Sequence, residues 1–469
     1  MTLTVLSDDQ VNSIFESLDL EELEEFRHVL ASALHEFSTG SQVDGADAFQ
    51  QPHRITTQHP ETKATTLYMP SCGPEGMGCK VVSLTTSAAM QDPSVKPISP
   101  TGVVNLFSPG GELTGVVHAS SLTAFRTALA SACLVARRNH VRDIVVFGSG
   151  AQAYWHVRLA LMMRGATVRH VHFINHRFSA SAGLILKKFS VIPQDVKARE
   201  GWAEAKFSLL TPSFHEFDRL QKEHLRAADV VYCCTPSRAD LFDAHILTSH
   251  EGRRKGRLIV AVGSFTPEMR ELPEALLHQV TKQHDRHHDK PHRHFHKHAE
   301  EGGVIVVDTL EGVLKEAGEI IAAKIPATHL VELGELVMLH RLRVEESEAE
   351  ASASDAASDF ERTDTADSGS AMSGVYGSQA APPPRPASPA SSTSSAHKST
   401  FHLPFRTKSG SSSSDQGEKK KKEDHMVRWL RDGTVVYKSV GLGLMDLVVG
   451  THLINVATKK NIGTRIEGF

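Results

Sequence analysis

The chain has 469 residues, a net charge of −4 with histidine neutral, and an apolar fraction of 40%. That length suits two or three domains, and the charge balance excludes a global basic field that would attract nucleic acid. No apolar run is long enough to span a bilayer, and the N-terminus carries Asp8, Asp9 and Glu16 where a signal peptide would be basic and then apolar, so a cytoplasmic protein with no membrane partner is expected.

Ser7 followed by Gln10 has the form of a capping box opening a first helix. A second helix is predicted over residues 20–37, with Leu23, Phe26, Leu30, Leu34 and Phe37 at helical spacing. Residues 65–117 read as strands, with a hairpin turn at Gly110-Gly111, and a helix over 121–137 follows.

Residues 143–153, Asp-Ile-Val-Val-Phe-Gly-Ser-Gly-Ala-Gln-Ala, read as an apolar strand, a glycine turn and the start of a helix that ends at Gly165. The spacing of Gly148, Gly150 and Ala153 is that of a dinucleotide-binding turn, and it stands in the required context of a preceding strand, a following helix and a second strand over 168–174. Free N–H groups at the helix start would face a pyrophosphate. The second strand ends in Asn175-His176-Arg177, where an acidic residue would normally hold the ribose hydroxyls. A guanidinium there pairs with a 2′-phosphate that a carboxylate would repel, so NADP(H) is favoured over NAD(H); the plainer alternative is a solvated loop arginine.

Buried-type strands recur at 229–234, 258–262 and 304–307, which predicts a parallel, doubly wound sheet. Residues 281–300 hold His284, His287, His288, His292, His294, His296 and His298 at irregular spacings, read as a solvated insertion and not a metal site. Residues 345–424, rich in Ser, Ala, Pro and charge, are expected to be disordered, with Lys419 to Lys422 as a solubilising run. Trp429-Leu430 and Val435-Val436-Tyr437 read as the arms of a hairpin around Asp432-Gly433. The five cysteines, Cys72, Cys79, Cys133, Cys233 and Cys234, lack zinc-site spacing and are expected to be free thiols.

Five ordered motifs carry a resemblance: Met69-Pro70, Gly78-Cys79-Lys80, Leu122 to Ala128 with the glycine turn, Gly263-Ser264-Phe265-Thr266-Pro267 leading into Arg270-Glu271-Leu272, and Tyr437 to Gly441. The chain resembles the ornithine cyclodeaminase/mu-crystallin family, and its long insertions resemble those of fungal members. The resemblance implies an α/β protein: a Rossmann doubly wound parallel sheet (123–318) inserted into a second α+β dimerisation/substrate domain (1–122 and 319–469), acting as a homodimer. It implies Lys80 as the active-site lysine, with Arg54, Arg126 and Val440 at the substrate. For the cofactor it implies Thr101, Arg126, Thr127, Gly148, Gly150, Ala151, Gln152, Asn175, His176, Arg177, Thr235, Val262 and Ser439. Two arginines can clamp a carboxylate, and a lysine screened by apolar neighbours can exchange a proton near neutrality. Phe265 departs from the family: cyclodeaminases carry an aspartate there. The expected activity is therefore NADPH-dependent reduction of a small imino carboxylate, within a substrate class of imino, amino and keto acids. The alternatives are a non-catalytic NADP(H)-binding protein like mu-crystallin and a cyclodeaminase with a displaced acid.

Overall fold

The computed structural model describes residues 2–40, 48–85, 89, 98–282, 299–337 and 425–469. The seven histidines of the 281–300 stretch, all of 345–424 and with it the Lys419–Lys422 run lie outside these residues. The described residues belong to one unit, made from Met1–Leu339 and Ser412–Phe469.

Two sheets organise that unit. The first takes β1 (Thr2–Leu6), β2 (Ile55–Gln58), β3 (Thr65–Gly73), β4 (Gly76–Leu84), β5 (Thr101–Phe107), β6 (Leu113–His118) and β15 (Thr464–Glu467). Its order is β15-β1-β6-β5-β4-β3-β2, antiparallel except where β1 runs parallel to β6. Gly110-Gly111 turns β5 back on β6, as the sequence predicts.

The second sheet takes β7 (Asp143–Phe147), β8 (His170–Ile174), β9 (Lys206–Leu210), β10 (Val230–Cys233), β11 (Leu258–Ala261), β12 (Ile305–Val307), β13 (Leu330–Glu332) and β14 (Val435–Lys438). It is parallel throughout, in the order β13-β12-β14-β11-β10-β7-β8-β9. This is a Rossmann-type α/β sheet beside a second domain. Its strands are short and buried, as all-apolar parallel strands must be when both faces are covered.

One expectation fails here. Trp429 and Leu430 are not a hairpin arm: residues 425–432 are helical, and Gly433 N–H closes on the Trp429 carbonyl at 2.8 Å. The chain then enters the middle of the parallel sheet as β14, between β11 and β12. Every residue of β14 is buried. A buried apolar run of four is compatible with a hairpin arm or with a central parallel strand, and only its distant partners decide which.

Four helices matter for the site. α1 (Asp8–Glu16) opens on the predicted Ser7–Gln10 capping box. α2 (Leu20–Thr39) begins as predicted, also from a capping box, Asp19 with Glu22. α3 (Ala119–Val135) joins the two sheets and is buried nearly all round. α4 (Ala151–Arg164) follows the glycine turn with the predicted bounds. Because α3 has almost no solvent face, it carries only apolar and small hydroxyl side chains besides one arginine, Arg126, which is 3% exposed. The C-terminal helix Gly443–Lys459 packs against α2, α3, β3 and β4. No helix among the described residues is long and apolar enough to cross a membrane.

Phe125 of α3 locks three helices together. Its ring stacks on Phe15 at 3.7 Å and meets Phe26 and Trp155 edge-on at 5.6 and 5.3 Å. Phe125→Ala should lower unfolding stability by about 3–5 kcal/mol, read as a shifted denaturant midpoint with unchanged slope.

Candidate functional site

The site is assembled where β4, α3 and the C-terminal helix meet. Side chains alternate faces along β4, so Gly78, Lys80 and Val82 share one face. Lys80 lies opposite Met69 on β3 and Val104 on β5, and is 4% exposed. Its Nζ donates to Asp446 Oδ2 at 2.7 Å. The other oxygen of Asp446 accepts from Arg126 Nε at 3.2 Å, and Arg126 Nη1 also meets Met445 Sδ at 3.4 Å. One carboxylate, 1% exposed, therefore bridges two buried cations.

Burial, with smaller contributions from Arg126 and Arg54, brings the Lys80 pKa down to about 8, while Asp446 acts in the opposite sense. Lys80 is thus charged at neutral pH but within reach of deprotonation.

Arg54, half-buried just before β2, donates through Nη2 to Glu316 Oε2 at 2.5 Å and to the Val440 carbonyl at 3.2 Å. The loop at Ser439-Val440-Gly441 crosses above Arg126. Asp308 holds it, accepting from Ser439 Oγ at 2.7 Å, Val440 N–H at 3.0 Å and Gly441 N–H at 2.7 Å. Gly441 has φ +91°, and a Cβ there would lie 3.1 Å from the Arg126 guanidinium, so both backbone and space call for glycine.

The two residues before Phe265 are pinned by a buried acid. Glu271 accepts from Gly263 N–H at 2.8 Å, Ser264 N–H at 3.2 Å and Thr235 N–H at 2.7 Å. Lys438 Nζ reaches Ser264 and Glu319, all fully buried. These buried groups fix the two loops that flank the cavity.

A cavity of about 560 Å³ runs between the sheets from the glycine turn to Lys80. Of the residues the sequence singles out, Arg54, Lys80, Thr101, Arg126, Thr127, Gly150, Ala151, Gln152, Val262, Ser439 and Val440 all line it. Gly148 sits behind the turn at φ +104°, where a Cβ would come within 2.9 Å of the Cys234 carbonyl. Thr235 touches that glycine but is turned toward Glu271, while its neighbours Cys234 and Pro236 line the cavity. Asn175, His176 and Arg177 do not line it. They follow β8, where Asn175 Nδ2 donates to Ser149 Oγ at 3.4 Å and His176 and Arg177 are exposed.

The glycine turn fits a dinucleotide phosphate. Gly150 caps α4 without a side-chain hydrogen bond, which leaves the first-turn N–H groups free, and the space in the direction of its missing Cβ is empty. No group of three or more metal-ligating side chains occurs among the described residues, and the five cysteines are free thiols.

The sequence reading missed Asp446, Asp308, Glu316 and Glu319. Asp446 could have been noticed as the lone acid in an apolar helix, since a buried carboxylate demands a partner.

No family model matches the chain. It is 22% identical over 358 residues to the uncharacterized protein YGL159W of Saccharomyces cerevisiae, covering 72% of this chain and 86% of that one. It is 27% identical over 203 residues to an uncharacterized cyclodeaminase of Dictyostelium discoideum, covering 42% of this chain and 53% of that protein. Among solved structures it resembles the Δ1-pyrroline-2-carboxylate reductase of Thermococcus litoralis in complex with NADH and L-proline, with a TM-score of 0.56 and 18% identity over 99% of this chain and 100% of that one. It also resembles the iminosuccinate reductase of Paracoccus denitrificans in complex with NAD+, with a TM-score of 0.55 and 16% identity over 100% of both chains. The chain has the fold of these reductases.

Gly441→Ala should destabilise the protein by about 1–3 kcal/mol through its left-handed backbone and its contact with Arg126. Gly110→Ala, in an open turn, should stay within about 0.5 kcal/mol. Thermal unfolding of the two variants side by side checks the difference.

Proposed function

We propose that this chain is a nicotinamide-dependent oxidoreductase that reduces a small imino carboxylate to an amino acid and prefers NADP(H) to NAD(H). The observation that carries the reading is the single cavity linking the glycine turn to the buried Lys80–Asp446–Arg126 group. Gly148 to Gln152 would cradle the pyrophosphate, and Thr101, Thr127, Val262 and Ser439 would line the rest of the dinucleotide. When bound, a reduced nicotinamide supplies a hydride.

The chain's own residues do the remaining work. Arg54 and Arg126 hold the substrate carboxylate and orient the imine carbon toward the cofactor side of the cavity. Lys80 Nζ passes a proton to the imine nitrogen, and the neutral lysine is recharged from solvent. Asp446 keeps that ammonium in place and charged until the transfer. Phe265, with Leu67 and Val82, keeps the cavity dry around the C=N bond.

The likeness to a Dictyostelium cyclodeaminase favours one second reading, a lyase acting on ornithine. Phe265 opposes it, and ammonia release from ornithine would establish it. The reading includes a homodimer formed through the first sheet, whose edge strands expose Ile55 and Ile466.

Purified protein with NADPH and cyclic imino carboxylates should lose absorbance at the nicotinamide band, and tight NADPH binding without any turnover would overturn the proposal. Reduction needs charged Lys80, so kcat/KM should be level below pH about 8 and fall tenfold per unit above it, while the reverse oxidation should rise across the same range.

The NADP(H) preference rests on Arg177, exposed at the end of β8 with no carboxylate in the Asn175-His176-Arg177 segment. Arg177→Ala should weaken NADPH binding by about 10- to 100-fold and leave NADH within about twofold, measured by fluorescence titration.

A further inference from the structure

Arg54 is not poised to grip a carboxylate. Its Nη2 carries two N–H groups, and both are spent: one donates to Glu316 Oε2 at 2.5 Å, the other to the Val440 carbonyl at 3.2 Å. Neither Nη1 nor Nε has a partner among the described residues. A guanidinium offers a carboxylate two forks, Nη1 with Nη2 and Nε with Nη2. Nη2 belongs to both. While Glu316 and Val440 hold it, a ligand carboxylate gets only single, unforked bonds from Arg54.

The pair stands at a boundary. Arg54 lines the main cavity with Lys80 and Arg126, whereas Glu316 does not. Both line a small neighbouring hollow with His53, Thr309 and Glu311. The Arg54 and Glu316 side chains are 17% and 21% exposed, so water reaches each of them. Glu316 therefore keeps a polar setting when Arg54 turns toward the cavity, and no charge is left stranded in a dry place. Asp308, another acid of this region, spends Oδ2 on the Ser439–Gly441 loop and Oδ1 on the Thr309 N–H, and makes no bond to Arg54.

We propose that Glu316 is an internal competitor for Arg54: the incoming carboxylate takes the guanidinium fork from it, and the strength of the Arg54–Glu316 pair sets how tightly the substrate binds. This rests on the reading of Arg54 as the grip on the substrate carboxylate, whatever the rest of the substrate is. Glu316 is a positioning residue, since it acts on the substrate only through Arg54.

Binding can be read without turnover, by titrating NADPH fluorescence with the unreactive probe pyrrole-2-carboxylate. Glu316→Gln gives Arg54 a neutral acceptor in place of a charged one, so the NADPH complex should bind the probe about tenfold more tightly, the difference between a charge-assisted and a neutral hydrogen bond. Affinities for NADPH and for uncharged pyrrole-2-carboxamide should each stay within about twofold. Arg54→Ala should weaken the probe by about tenfold or more, and in that background Glu316→Gln should change its affinity by less than about twofold. A residue that only supports the fold would move carboxylate and carboxamide together, with or without Arg54. Unchanged or weaker probe binding in a Glu316→Gln protein that still binds NADPH would overturn the inference, as would the same gain in the Arg54→Ala background. Should the variant not fold, a crystal structure of the wild-type complex with NADPH and the probe decides: the probe carboxylate on the Nη2 fork with Glu316 released is expected, and an intact Arg54–Glu316 pair beside the bound probe overturns the inference. Full probe binding by Arg54→Ala would remove the reading of Arg54 as the grip, and the inference with it. Weakened binding by Arg54→Ala without a gain from Glu316→Gln would remove the inference alone.

Discussion

The Asp446 carboxylate, held between Lys80 and Arg126, is the interaction on which the site depends. It joins the C-terminal helix to β4 across 366 residues of sequence and to α3 across 320. A buried ion group of this kind is a poor source of stability, since stripping water from three charges costs about what their attraction returns. Apolar side chains of similar volume would pack the same space at no loss. The chain nevertheless keeps Lys80 and Arg126 on the wall of a cavity of about 560 Å³, with the lysine pKa at about 8. A polar group that does not stabilise, placed where a ligand can reach it, is best understood as chemical equipment.

The surrounding structure serves to keep that group dry and in register. α3 is buried nearly all round because it lies between two sheets, and its arginine lines the cavity. β14 enters the parallel sheet between β11 and β12 and delivers Ser439-Val440-Gly441 over the same arginine. Asp308 collects the donors of that loop, and Glu271 collects those of the loops carrying Thr235 and Phe265. Two acids outside the cavity lining thus set its walls, each by accepting several hydrogen bonds at once.

What was legible in the sequence was local. The glycine turn, its strand and its helix announce themselves because the signal sits within about thirty residues and each part supports the others. The Ser7 cap and the β5–β6 turn are legible for the same reason. β14 was misread because four buried apolar residues say nothing about their partners, and those partners precede it by more than a hundred residues. Asp446 was passed over because its helix is apolar enough to read as plain core, and its partners lie in the first third of the chain. Lys80 alone would have passed for a strand-end surface lysine; burial beside an acid from the far end of the chain makes it a titratable group near neutrality.

Phe265 and Asp446 together bear on the kind of chemistry the cavity supports. An elimination of ammonia needs a carboxylate that is free to take up and return protons close to the substrate. Position 265 offers an aromatic ring, and the carboxylate nearest Lys80 has each of its oxygens engaged by a cation. That carboxylate suits a fixed role, keeping a lysine protonated and an arginine aligned, better than a shuttling one. Reduction of a C=N bond asks for little more: one proton at nitrogen, an anchored carboxylate, and a wall that excludes water from the carbon that receives the hydride.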